Sequence, residues 1–283
     1  MTAVFLTILL LAADDKPSAS ATEESRRQQE TSVLAAAKAR QVEVLLGTEP
    51  QPVKASLRKE PLLRWSNPTA GSIYGEVFLW SLENRPVAVA SIYRWYHPYK
   101  DATLEIVTLT DKTIEAREGD AALWKPQSSG IAFKEFPDAP PPAAAAGSRL
   151  NQMRSLTRRF AAQLADKRAG ETVSRELRLL NQPVHRYESP KQGVLDGAMF
   201  AFVEVTDPEA WIIVEAVKSE ETTTWRYGLA RMNSDALEIR LDGKIVASWS
   251  KVAQPWKDRQ APYTLFSFDP TLVPLEKTKE AAP

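Results

Sequence analysis

The only imidazoles in the chain are His97 and His185, and cysteine is absent. Thiolate nucleophiles, disulfides and cysteine-ligated zinc or iron–sulfur clusters are therefore excluded. HExxH, a histidine pair at helical spacing and GxSxG are all missing, so neither a cofactor nor a metal is expected. Chemistry-bearing side chains are densest in YRWYHPYK, where Tyr93, Trp95, His97 and Tyr99 alternate with Arg94 and Tyr96. Along a strand Tyr93 and Trp95 point to one face. With Trp80 upstream, the ligand-binding candidates are Trp80, Tyr93, Trp95, His97 and Tyr99, an aromatic-lined groove for a glycan, peptide or apolar ligand. The acids Glu76, Glu83, Glu105, Glu204 and Glu215 lie in or beside strands. Two of them facing across a cleft would form an acid–base pair of the kind that cleaves glycosides. The glycines of GSIYG (71–75) precede a strand and offer no helix N-terminus to a phosphate, so they read as turn or bulge residues.

Two stretches match without a gap at an offset of 122 residues, RWSNPTAGSIYGEVFLWSLENRP (64–86) and RYESPKQGVLDGAMFAFVEVTDP (186–208). The identities are Arg64 with Arg186, Pro68 with Pro190, Gly71 with Gly193, Gly75 with Gly197, Phe78 with Phe200 and Pro86 with Pro208. Trp65 and Tyr187 form a conservative aromatic pair beside the arginines. An arginine bonded there to a carboxylate or to turn carbonyls would fix the junction. His185 precedes the second arginine where Leu63 precedes the first.

Helical spacing is expected upstream of each match. Leu34, Ala37, Gln41, Val44 and Leu45 mark residues 23–46, with Gly47 as a stop, and Met153, Leu156, Phe160 and Leu164 mark 149–168, with Gly170 as a stop. Downstream, both halves turn to short β-branched and aromatic runs, at 76–80, 87–96, 104–110 and 113–117, then at 198–205, 210–218, 223–232, 236–241 and 244–250. Asp242-Gly243 is a hairpin signal. No long crossovers separate these runs, which predicts antiparallel sheets. The expected fold class is α+β, a tandem duplication of a helix followed by a four- to five-stranded antiparallel sheet. The expected divisions are a signal peptide and flexible leader (1–21), a first repeat (22–136), the Pro/Ala-rich linker PDAPPPAAAAGS (137–148), a second repeat (149–269) and a C-terminal tail (270–283).

The apolar run AVFLTILLLAA (3–13) has the length of a signal-peptide core and is too short to span a bilayer. Export is expected, to the periplasm, cell envelope or outside, with no integral membrane span in the mature chain. Among 283 residues, 36 Lys and Arg balance 36 Asp and Glu, which argues against a nucleic-acid partner. With 43% hydrophobic residues the chain can bury a sizeable core without disulfides. The stretches LLRWSNPTAGSIYGEVFLW and GAMFAFVEVTDPEAWIIVEA resemble exported proteins of planctomycete-type bacteria, for which no activity is assigned. That resemblance implies export and brings no catalytic residue. The expected function is a non-catalytic binding or structural-interaction module at the cell envelope, its partner an envelope protein, a peptide or a glycan. The alternative is a hydrolase in the cleft between the repeats, with His97 or a strand carboxylate as base.

Overall fold

The structure, a computed structural model, describes residues 19–274 apart from 49, 169, 170 and 221. Most of the expected leader and of the tail lies outside the described residues. The first part of the chain forms α1 (Ala19–Gln41), β1 (Val42–Leu46), β2 (Val53–Lys54), β3 (Ser56–Leu57), β4 (Leu63–Ser66), β5 (Ser72–Leu82), β6 (Arg85–His97), β7 (Ala102–Thr108), β8 (Ile114–Glu118), β9 (Ala121–Trp124) and β10 (Phe133–Glu135). The second part forms α2 (Ala146–Thr157), β11 (Phe160–Arg168), β12 (Glu171–Leu179), β13 (His185–Ser189), β14 (Val194–Glu204), β15 (Asp207–Lys218), β16 (Thr223–Arg231), β17 (Ala236–Leu241), β18 (Lys244–Trp249) and β19 (Tyr263–Phe268).

This corrects the α+β expectation. The described chain is predominantly β, with two helices of 23 and 12 residues set against nineteen strands, rather than two equal helix-plus-sheet repeats. The strands form three sheets. A small one runs β2-β1-β8-β9, a second runs β19-β7-β6-β5-β3 with β4 also on β5, and a nine-stranded sheet runs β10-β16-β15-β14-β12-β11-β17-β18 with β13 also on β14. The long sheet curls back over one of its own faces, so β11 and β17 pack across from β14, β15 and β16. Nor do the sheets divide at the 137–148 linker. β10, which precedes it, pairs with β16, and β19, from the end of the second part, pairs with β7. The expected internal repeat of a helix on its own sheet is therefore not the folding unit.

Local competition between periods explains the helix errors. Residues 42–46 and 160–168 carry apolar side chains at spacings that suit either period. Val42, Val44 and Leu46 are buried alternately, as are Phe160, Ala162 and Leu164. Each run finds an antiparallel partner, β1 on β8 and β11 on both β12 and β17, and ladder formation wins.

The offset-122 matches instead mark one local pairing used twice. Leu63, Arg64 and Trp65 lie opposite Val77, Glu76 and Gly75, and His185, Arg186 and Tyr187 lie opposite Met199, Ala198 and Gly197. A Cβ on Gly75 would come within 2.4 Å of the Trp65 ring, and one on Gly197 within 2.5 Å of the Tyr187 ring. These glycines are thus required for ring approach, which the expected turn or bulge role does not capture. Phe78 and Phe200 are core residues, and Pro86 and Pro208 sit near the starts of β6 and β15, beside irregularities in the pairing.

Alternation along the strands builds the layers. One face of the second sheet puts Phe78, Trp80, Ala90 and Ile106 against α1 and the small sheet. Its other face sets Val77, Leu79, Val89 and Val107 against Met199, Ala201, Trp211 and Ile213 of the long sheet. The long sheet's remaining face covers Phe200, Phe202 and Ile212 with its own curled end and with Met153 and Leu156 of α2.

Candidate functional site

The five aromatic and histidine candidates do not converge. Trp80 is 1% exposed, on the α1 side of its sheet, and its indole N–H donates to the Val42 carbonyl at 3.3 Å. Tyr93 and Trp95 face the opposite way and are half-buried against the core between the two large sheets, with Tyr93 5.4 Å from the Trp65 ring. Trp95 meets the exposed Tyr99 edge-on at 5.1 Å, and His97 is exposed at the end of β6.

The paired arginines do find carboxylates. Arg64 Nε donates to Glu76 at 2.7 Å, while Arg186 and Arg149 both donate to Asp196, which is fully buried. His185 stacks on Tyr187 with ring centroids 5.6 Å apart, and burial, aided by the Arg58 charge, lowers its pKa to about 4.

Two polar clusters lie in the layer between the large sheets. In the first, the fully buried Glu215 accepts from Arg85 Nε at 2.7 Å, Arg226 Nε at 2.7 Å and the Tyr187 hydroxyl at 2.6 Å. The Phe133 ring lies 4.9 Å from the Arg85 guanidinium and 4.7 Å from that of Arg226. The second cluster is acidic. Glu105 accepts a hydrogen bond from the Tyr263 hydroxyl, Asp207 receives Asn67 at 3.5 Å, and Glu209 is bonded by Asn233. Desolvation pushes the Glu105 carboxyl up to about 7, against the smaller opposing effects of the Tyr263 hydrogen bond and Arg231. Burial also raises the Asp207 carboxyl, with the Glu105 charge adding to it, and raises Glu209, with Asp207 adding there.

A raised carboxyl keeps its proton in the folded state over a window in which the unfolded chain has released it. For Glu105 that window runs from its ordinary value of 4.5 to about 7, so its contribution to stability falls as pH rises through it. Glu105→Gln keeps an acceptor for Tyr263 and removes the charge. It is expected to stabilise the protein by about 1–3 kcal/mol at pH 8 and to change little at pH 4.5. Urea denaturation at both pH values measures this, and an equal effect at the two would contradict the assignment.

A further opening lies where the curled sheet ends. β10 and β18 are the terminal strands of the long sheet, and an open groove of about 300 Å³ separates them. Ile131, Ala132 and Lys134 form one wall, Tyr227 and Leu229 the floor, and Val246 to Trp249 the other wall. Lys134 Nζ reaches across to the Val246 carbonyl at 3.1 Å. Ser129, Gly130 and Trp249 also border an adjoining cavity of about 300 Å³, lined further by Val107, Pro255, Pro262, Tyr263 and Arg231. The two adjoin at Ser129, Gly130 and Trp249, and each is of the size that small-molecule sites occupy. Sequence reasoning read 244–250 as a strand, yet edge position depends on the partners a strand lacks, for which no local signal exists.

Among the described residues no group of three or more His, Cys, Asp or Glu is placed to hold a metal ion, and no helix is long and apolar enough to cross a membrane. No protein-family model matches the chain, and neither a curated protein nor a solved structure shows a significant likeness to it.

Proposed function

We propose that the protein is a non-catalytic binding module, exported to the cell envelope, that takes an elongated apolar ligand in the groove between β10 and β18. The observation that carries this reading is the groove itself, flanked by the two terminal strands of a curled sheet and adjoining a mainly apolar cavity at Trp249. The apolar run at 3–13 supports export. For the hydrolase alternative, the base would be Glu105, whose proton affinity suits neutral pH. Its hydrogen-bonding partner is a tyrosine hydroxyl, and His97 stands exposed at a strand end, so binding is the better-supported reading.

The neutral fluorophore N-phenyl-1-naphthylamine tests the groove directly. The full chain is expected to bind it. Ala247→Arg, which puts a charge in the wall, is expected to weaken binding at least tenfold, and Tyr99→Ala to leave it unchanged. Loss on Tyr99→Ala with none on Ala247→Arg would move the site to the aromatic cluster of β6. Cell fractionation with N-terminal sequencing tests export, and an intact leader on a cytoplasmic chain would refute it.

A further inference from the structure

Arg231 is 7% exposed, lines the cavity beyond Trp249, and forms no ion pair among the described residues. Its side-chain hydrogen bonds go to neutral backbone carbonyls, from Nε to Asn233 at 2.6 Å, from Nη1 to Ser250 at 3.0 Å and from Nη2 to Asp235 at 2.7 Å, and the guanidinium lies 5.1 Å from the centroid of the Tyr263 ring. A guanidinium has five N–H donors, so two remain beyond these three. The acids that act on it electrostatically are occupied elsewhere, Glu105 by the Tyr263 hydroxyl and the Asp235 side chain by Lys251 at 2.5 Å. Asp258, the one carboxylate in the cavity lining, caps the backbone N–H groups of Gln260 and Ala261 at 2.8 and 3.1 Å. A buried cation whose hydrogen bonds all go to neutral carbonyls, with no carboxylate bonded to it among the described residues, is an arrangement that an anion from outside would strengthen.

We infer that the groove binds a single long-chain alkyl carboxylate, its head group on the guanidinium of Arg231 and its chain running past Trp249 between β10 and β18. This rests on the groove reading above and adds the chemical class of the ligand. Charge complementarity selects the head. A carboxylate can accept two N–H donors side by side from a guanidinium, an alcohol accepts less strongly, and an ammonium is repelled. The wall fits the rest, because Val107, Pro255 and Pro262 present apolar side chains, and Trp249 a largely apolar ring, to a chain leaving the head group.

The experiment is isothermal titration of the full chain with dodecanoate, dodecanol and dodecyltrimethylammonium, each kept below its micellar concentration. Dodecanoate is expected to bind at least tenfold more tightly than dodecanol, and the ammonium most weakly. Val252→Glu supplies a built-in carboxylate at the same cavity and is expected to abolish the preference while dodecanol still binds. Arg231→Gln should do the same if it folds, but the Val252 variant does not depend on that. Equal binding of dodecanoate and dodecanol, or tighter binding of the ammonium, would overturn the head-group assignment and leave the groove reading standing. Binding of none of the three would remove both.

Discussion

Glu215→Ala is expected to cost about 3–5 kcal/mol of folding stability, among the largest effects available to a single substitution in this chain. The carboxylate is fully buried and serves Arg85, Arg226 and Tyr187 together. Removing it leaves two guanidiniums beside the Phe133 ring, their side chains only 16% and 27% exposed, without the carboxylate that bonds both. The penalty is that of stranded charge, which exceeds what the intact ion pairs contribute. Arg85 belongs to β6 and Glu215 to β15, so the contact joins the two large sheets and its loss should loosen their packing. Equilibrium urea denaturation gives the number. A loss below about 1 kcal/mol would mean that water reaches the site freely and the cluster is merely a surface network.

Trp80→Ala is the second, at about 3–5 kcal/mol, the usual cost of removing a large aromatic from a closed core. Here the measurement separates two readings of one residue. As a ligand-contacting aromatic, Trp80 would affect binding with modest effect on stability. As a core residue 1% exposed against α1 and the small sheet, it should lower stability sharply while the folded fraction still binds the neutral fluorophore with unchanged affinity. Normal stability with lost binding would restore the aromatic-groove expectation.

Trp80 also shows what sequence could and could not yield. Its strand was legible from EVFLW, and so were β14 to β18 and the Asp242-Gly243 turn, because runs of β-branched and aromatic residues and positive backbone angles leave local marks. What was not legible is which face of a strand meets which layer. Trp80 and Trp95 belong to adjacent strands but lie on opposite faces, which only the register of β5 on β6 fixes. The same holds for Glu105, listed among five strand acids with nothing to single it out. Its environment comes from Tyr263 and Asp207, on strands whose placement depends on long-range pairing. Arg231 carried no signal at all, since the surroundings of a guanidinium are set by long-range pairing. The helix ends at 42–46 and 160–168 failed for a different reason. Short apolar runs satisfy both periods, and the choice is made by a partner strand.

The exchange of edge strands between the two parts of the chain bears on how the protein is made. During synthesis β7 emerges early, and one of its edges stays bare until β8 to β18 have been translated and β19 follows. Over that interval the second sheet presents an open row of amide and carbonyl groups, a template on which another nascent chain could pair. The half-made protein is therefore far more exposed to misassembly than the finished one. A holding chaperone, or passage across a membrane before folding, would protect the interval during which β7 waits for its neighbour.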